Sequence, residues 1–127
     1  VDIVAAEDCT VMFLNGKTLL NTCDNSCTFH HTLIRNLLGI VAQKNMYLNQ
    51  KIKYTSRKTT REKLMAYLTD QAKLKRSNDF TIPFNRQELA DYLGVERSAM
   101  SAELGKLTKL GILRTQRSHF TLLKPLD

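Results

Sequence analysis

Four side chains in one short stretch are of metal-binding types: Cys23-x3-Cys27-x2-His30-His31. On a helix, Cys23, Cys27 and either His30 or His31 share a face, because residues four and seven or eight apart lie over one another. Thiolate and imidazole donors suit zinc or an iron–sulfur centre. The spacing matches no standard metal motif, so the plainer reading is two half-buried thiols beside surface histidines, with a metal site or a redox thiol pair as the alternative. The three cysteines are odd in number and sparse, which speaks against a disulfide scaffold and fits a reducing cytosol. Gly16-Lys17-Thr18 ends like a phosphate-binding loop, but Val11 stands where that motif needs its first glycine. There is no nucleophile elbow, no HExxH and no acid pair in an apolar setting, so an enzyme is not expected.

Charge carries more information. The 127 residues have a net charge of +7, unevenly spread. Residues 1–30 hold one base and four acids, whereas residues 31–127 hold 18 bases and 8 acids. A basic segment of that size points to a polyanionic partner, nucleic acid before a membrane surface. Nor is there a basic start followed by an apolar run of the secretory kind. The longest apolar run, residues 37–42, is far short of the roughly 20 residues a membrane span needs. A membrane or secreted protein is therefore not expected, and a chain starting at Val1 reads as part of something longer.

The elements that must position these groups follow from periodicity. Thr10-Val11-Met12-Phe13-Leu14 is apolar and β-branched and reads as a strand, and Asn15 is placed to cap a short helical turn through Leu20. Over residues 29–55, Ile34, Leu38, Val41, Asn45, Leu48 and Ile52 recur at spacings of 4, 3, 4, 3 and 4, the seam of a dimer helix, with a single amphipathic helix in a monomer core as the alternative. Asn45 falls at an a position, where two copies satisfy each other in a parallel pair. Leu33, Leu37 and Ile40 form a second stripe that needs its own cover. Thr59 or Thr60 then caps a helix with Leu64, Tyr67, Leu68 and Ala72 on its apolar face. Phe80-Thr81-Ile82 is a short edge strand, ended by Pro83.

Asn85 caps a helix over residues 86–93, and Gly94 ends it with the positive φ of a tight turn. A second helix, starting near 96–98, keeps Met100, Leu104, Leu107 and Leu110 on one face until Gly111. Leu89, Leu93, Val95, Met100 and Leu104 form the shared core, and the small Ala90 lets the two helices cross closely. This is a helix-turn-helix, whose second helix enters the major groove. Residues 112–116 and 119–123 flank an Arg117-Ser118 turn and make a β-hairpin, hence a winged helix. Arg114, Arg117 and His119 lie near the wing tip, where cations can touch phosphate.

With these elements in order, the chain resembles the C-terminal part of a Crp/Fnr-family bacterial transcription regulator. The matching segments are Ala6-Glu7-Asp8-Cys9-Thr10-Val11-Met12, the long helix, Thr60-Arg61-Glu62-Lys63-Leu64, residues 84–95, and the wing. The resemblance implies a mainly α fold with small β. A long dimerisation helix precedes a winged helix-turn-helix and follows the remnant of a β-roll sensor domain. It implies three parts: 1–28, the end of the cyclic-nucleotide-binding-like domain; 29–55, the dimerisation helix; and 56–127, the DNA-binding domain. Carried over residue by residue, it places Arg86 and Gln87 at phosphate and Arg97, Ser98, Ser101 and Ala102 in the groove. Lys106 and Lys109, further along, become candidate phosphate contacts. Well-studied members have a glutamate where Ser98 stands and an arginine where Ala102 stands, so this chain is not expected to read their sequence.

The function the resemblance implies is that of a cytoplasmic, homodimeric regulator. It binds a palindromic operator through a recognition helix at about 96–110, with RNA polymerase as a further partner. An effector sensed by an N-terminal domain mostly absent here would control it. No cofactor is expected in this chain, and Met46-Tyr47 stands where cAMP-responsive members present adjacent hydroxyls, which disfavours cAMP. The alternatives are a winged helix used for protein–protein contact, and a metal- or redox-sensing regulator using Cys23, Cys27 and His30 or His31.

Overall fold

Local sequence signals account for most of the elements. The computed structural model describes residues 2–21 and 27–124, which fall into two compact units, Val1–Asn45 and Met46–Asp127. In the first unit, Asn15 caps helix α1 (Gly16–Leu20) by accepting from the Lys17 and Thr18 amides at 3.0 and 3.4 Å. Helix α2 (Thr28–Thr55) has 28 residues and runs on into the second unit. The strand expected at residues 10–14 does not form; Val11, Met12 and Phe13 are exposed, and the sheet of the described residues holds only three other strands. A β-branched run has no stable extended form without a neighbour to complete its hydrogen-bond ladder.

The second unit holds the core. Helix α3 (Thr60–Lys75) opens on a full capping box: Thr59 accepts from the Glu62 amide at 3.1 Å, and the Glu62 carboxylate accepts from the Thr59 amide at 3.3 Å. Strand β1 (Asp79–Thr81), helix α4 (Arg86–Leu93), helix α5 (Arg97–Lys109) and the hairpin of β2 (Leu113–Gln116) and β3 (His119–Leu122) follow. The antiparallel sheet is ordered β1-β3-β2, with Phe80 opposite Phe120 and Thr115 opposite Phe120 on the other side. This leaves β1 at the edge, so Pro83 just beyond it removes no ladder donor. Leu64, Leu68, Leu89, Leu93, Met100, Leu107, Leu113 and Phe120 are fully buried. Each contributes about 1.5–3 kcal/mol relative to an exposed position.

Two sequence expectations shift here. Leu110 is 55% exposed rather than on the buried face, because α5 ends at Lys109 and the chain turns away through Gly111 at φ +66°. The end of α2 also belongs with the winged helix rather than stopping at a domain edge. Tyr54 is buried in that core, its hydroxyl donates to Asp70 at 3.0 Å, and its ring meets those of Tyr67 and Tyr92 at 5.5 and 6.1 Å. On the earlier part of α2, Leu33 and Leu37 are half-buried and Ile40 is exposed, so only part of the second stripe lacks cover.

Candidate nucleic-acid interface

The orientation of α5 follows from which residues it buries. Met100, Leu104 and Leu107 point into the core, and at 100° per residue this turns Ser98, Ser101 and Ala102 outward, while Arg97, in step with Met100 and Leu104, is exposed as the first residue of the helix. The turn that sets this angle is held at Gly94, with φ +62° and ψ 49°, where a side chain would be strained. The Val95 amide then closes the turn on the Ala90 carbonyl at 3.0 Å. Asn85 caps α4 through a second reciprocal box with Glu88, at 2.9 and 2.7 Å, which fixes the start of the helix beside α5.

Asn85, Arg86, Gln87, Arg97, Arg117 and Ser118 line one recess. The fold thus gathers two α4 residues, the first α5 residue and the wing turn, although they are up to 32 positions apart in sequence. Three of the six are arginines and none is acidic. Such a surface attracts an anion and, with exposed donors around it, suits a phosphate. Arg117 adopts φ +52°, which turns the hairpin and presents its side chain at the tip.

Arg86 is only partly available to a ligand. One guanidinium nitrogen donates to the Thr115 hydroxyl, and the group lies 4.9 Å from the centre of the Phe120 ring. The other, Nη1, is buried with no hydrogen-bond partner among the described residues. Desolvation by burial lowers the pKa of Arg86. The residue therefore ties the start of α4 to the wing as well as lining the recess. Gln87 is exposed, but its amide donates to Asp91 at 2.9 Å.

The remaining residues divide. Lys106 is exposed and paired with Glu103 at 2.7 Å. Together with Ala102 it lines a second recess that also includes Thr59, Thr60 and Arg61. Lys109 is exposed at the end of α5, away from both recesses. Arg114 is exposed but lies in a different hollow, with Thr115, Gln116, His119 and Thr121. His119 is engaged within the protein rather than left at the tip for phosphate: its Nε2 is 2.6 Å from Asp79 and its Nδ1 is 3.0 Å from Thr81 Oγ1. The Thr121 hydroxyl and His119 hold the Asp79 carboxyl below its usual range. Arg61 and Asn85 join the recesses without having been singled out as ligand-facing. The sequence signal for Arg61 was its place in the matching segment Thr60-Arg61-Glu62-Lys63-Leu64, at the start of α3.

The seam residues of α2 are mostly open in the single chain. Leu38, Val41, Leu48 and Ile52 are 64%, 63%, 53% and 60% exposed, Asn45 is exposed, and Ile34 is half-buried. Of the metal-type cluster, Cys23 lies outside the described residues. Cys27 and His30 are half-buried and His31 is exposed. Among the described residues of one chain no group of three His, Cys, Asp or Glu is placed to share a metal.

Residues 62–126 match the family described as the Crp-like helix-turn-helix domain. The chain belongs to the Crp-like helix-turn-helix family. The chain is similar to a solved structure from Eubacterium rectale assigned to the Crp/Fnr family of transcriptional regulators. The identity is 16% and the TM-score 0.48, over 77% of this chain and 43% of that one. The chain thus spans less than half the length of that protein. No curated protein matches it. In proteins that carry a helix-turn-helix, the second helix enters the major groove of DNA. No helix of the described residues is long and apolar enough to cross a membrane.

Proposed function

We propose that this chain is the pairing and DNA-reading part of a homodimeric, sequence-specific transcription regulator. The observation that carries the reading is the acid-free recess of Arg86, Gln87, Arg97 and Arg117 beside the exposed turn of α5. Arg97 reads bases, with Ser98, Ser101 and Ala102 contributing softer contacts, since serine serves several bases and alanine meets a thymine methyl. Arg86, Gln87, Arg117, Lys106, Lys109 and Arg114 hold phosphates and supply most of the affinity.

Two copies pair in parallel along Ile34, Leu38, Val41, Asn45, Leu48 and Ile52. The exposure of that seam in one chain supports the pairing, since apolar residues at heptad spacing lose water contact only against a partner. The two recognition helices then address successive major grooves, about 34–36 Å apart, on a two-fold site. In this reading the regulator works in the bacterial cytoplasm with RNA polymerase. It answers an effector sensed N-terminal to this chain, with cAMP disfavoured by Met46 and Tyr47.

Selection of preferred duplexes from a random pool, followed by gel shifts at two salt concentrations, tests the reading. The expected result is an enriched inverted repeat bound with a steep salt dependence. A winged helix that serves only as a protein adaptor would enrich nothing and show no salt-sensitive shift.

A further inference from the structure

The heptad seam of α2 does not stop at Ile34. Counting back by three and then four reaches His31 and Cys27, so Cys27, His31, Ile34, Leu38, Val41, Asn45, Leu48 and Ile52 form one series at alternating spacings of 4 and 3. The structure keeps this register. The Cys27 carbonyl accepts from the His31 amide at 3.2 Å, so Cys27 stands just before the first turn of a continuous helix and His31 within it. His31, Ile34 and Leu38 line one groove together with Thr28. His30 belongs elsewhere: it is in step with Leu33, Leu37 and Ile40, the second stripe.

We infer that two copies of this chain share a tetrahedral metal site built from Cys27 and His31 of each, at the N-terminal end of the paired α2 helices. The inference rests on the parallel pairing proposed above. In a parallel pair, equivalent seam positions face each other across the axis. The two ligand layers are one turn apart, about 6 Å along the helix, within reach of one ion between them. Two thiolates and two imidazoles form a closed Cys2His2 set, the donor set of structural zinc sites. The juxtaposition also explains why a single chain looks unpromising: each contributes only two ligands, and the set is complete only in the dimer. Such a site links metal supply to the dimer, and through it to two-fold DNA binding.

Cobalt(II), a coloured substitute for zinc, is the probe. The 127-residue chain, kept reduced, is titrated with Co2+ while its mass is followed by light scattering. The expected result is one Co2+ per two chains, with the intense visible bands of a tetrahedral site and a thiolate charge-transfer band. Chelation should weaken the dimer by about tenfold or more, because the ion binds only the paired form. Cys27→Ser and His31→Ala should each abolish the tetrahedral spectrum and the effect of chelation on the dimer, while helical content persists. Cys9→Ser and His30→Ala should leave the spectrum intact. A dimer that takes up no Co2+, takes it up without a thiolate band, or keeps the spectrum in Cys27→Ser overturns the site and leaves the pairing standing. So does a dimer held by a Cys27–Cys27 disulfide in place of metal. A chain that stays monomeric with and without Co2+ overturns the pairing, and the site with it.

Discussion

Arg97 and Lys106 lie on the same helix but meet different chemistry. Arg97 opens α5 inside an acid-free recess, where a guanidinium can fork onto a guanine edge. Lys106 is a point charge already balanced by Glu103. Arg97→Ala should therefore relax base preference at one position of each half-site, a loss of about 1–3 kcal/mol of discrimination visible as a degenerate column in selected duplexes. Lys106→Ala should weaken all sequences about equally and lower the salt slope by about one, read from titrations at several salt concentrations. Arg86 works differently again. Its tie to Thr115 and Phe120 was invisible in sequence, because the partners are 29 and 34 positions away and meet only when the wing folds back. The same holds for His119, which reads as a free cation in sequence but is drawn to Asp79 across the β1–β3 pairing.

Helix ends were the most legible elements. Asn85 and Thr59 act through residues three positions away, so their caps are local facts, and both boxes form. Thr59→Ala should cost about 1 kcal/mol, measured as a lower urea midpoint with an unchanged slope. The stretch at residues 10–14 failed as a strand for the opposite reason: extended chain is stabilised by its neighbours, and propensity cannot provide them. The junction of α2 with the winged helix depends on contacts as well. Desolvation pushes the Asp70 carboxyl upward, but hydrogen bonds from Lys53 and Tyr54, with the Lys53 and Lys73 charges, outweigh it and hold its pKa below the ordinary value. A depressed carboxylate adds stability above its unfolded pKa, near 3.9, and that stability is lost as pH falls through the folded value. Asp70→Asn should thus lower stability at neutral pH and flatten its decline between about pH 5 and the folded pKa, followed by circular dichroism. The effect will be modest, since Lys53 is half exposed. At the alkaline end, burial pushes the Tyr67 hydroxyl up to about 12. That contribution is present below about pH 10, the unfolded value, and disappears as pH rises through the folded one.

For the molecule as an assembly, the decisive surface is the seam of α2. Val41→Asp places a charge in the middle of the proposed interface, where a paired state would have to desolvate it. The chain should then sediment as a monomer and bind a half-site, while losing the preference for two-fold sites. Unchanged mass and unchanged operator choice would contradict the pairing.

The residues alone were enough to identify what depends on near neighbours and on pattern. These include the caps at Asn15 and Asn85, the cap at Thr59 or its neighbour Thr60, the turn at Gly94, the alternation of inward and outward positions on α5, and the hairpin around Arg117. Such features arise within a few residues, where propensity, periodicity and backbone sterics act directly. Which distant side chains share a surface was decided by the fold. Arg86, Arg97 and Arg117 line one recess while Arg114 lies in another, and Tyr54 draws the end of α2 into the core of the winged helix. Those outcomes come from packing between elements, where hydrophobic burial brings together parts of the chain that no local rule relates.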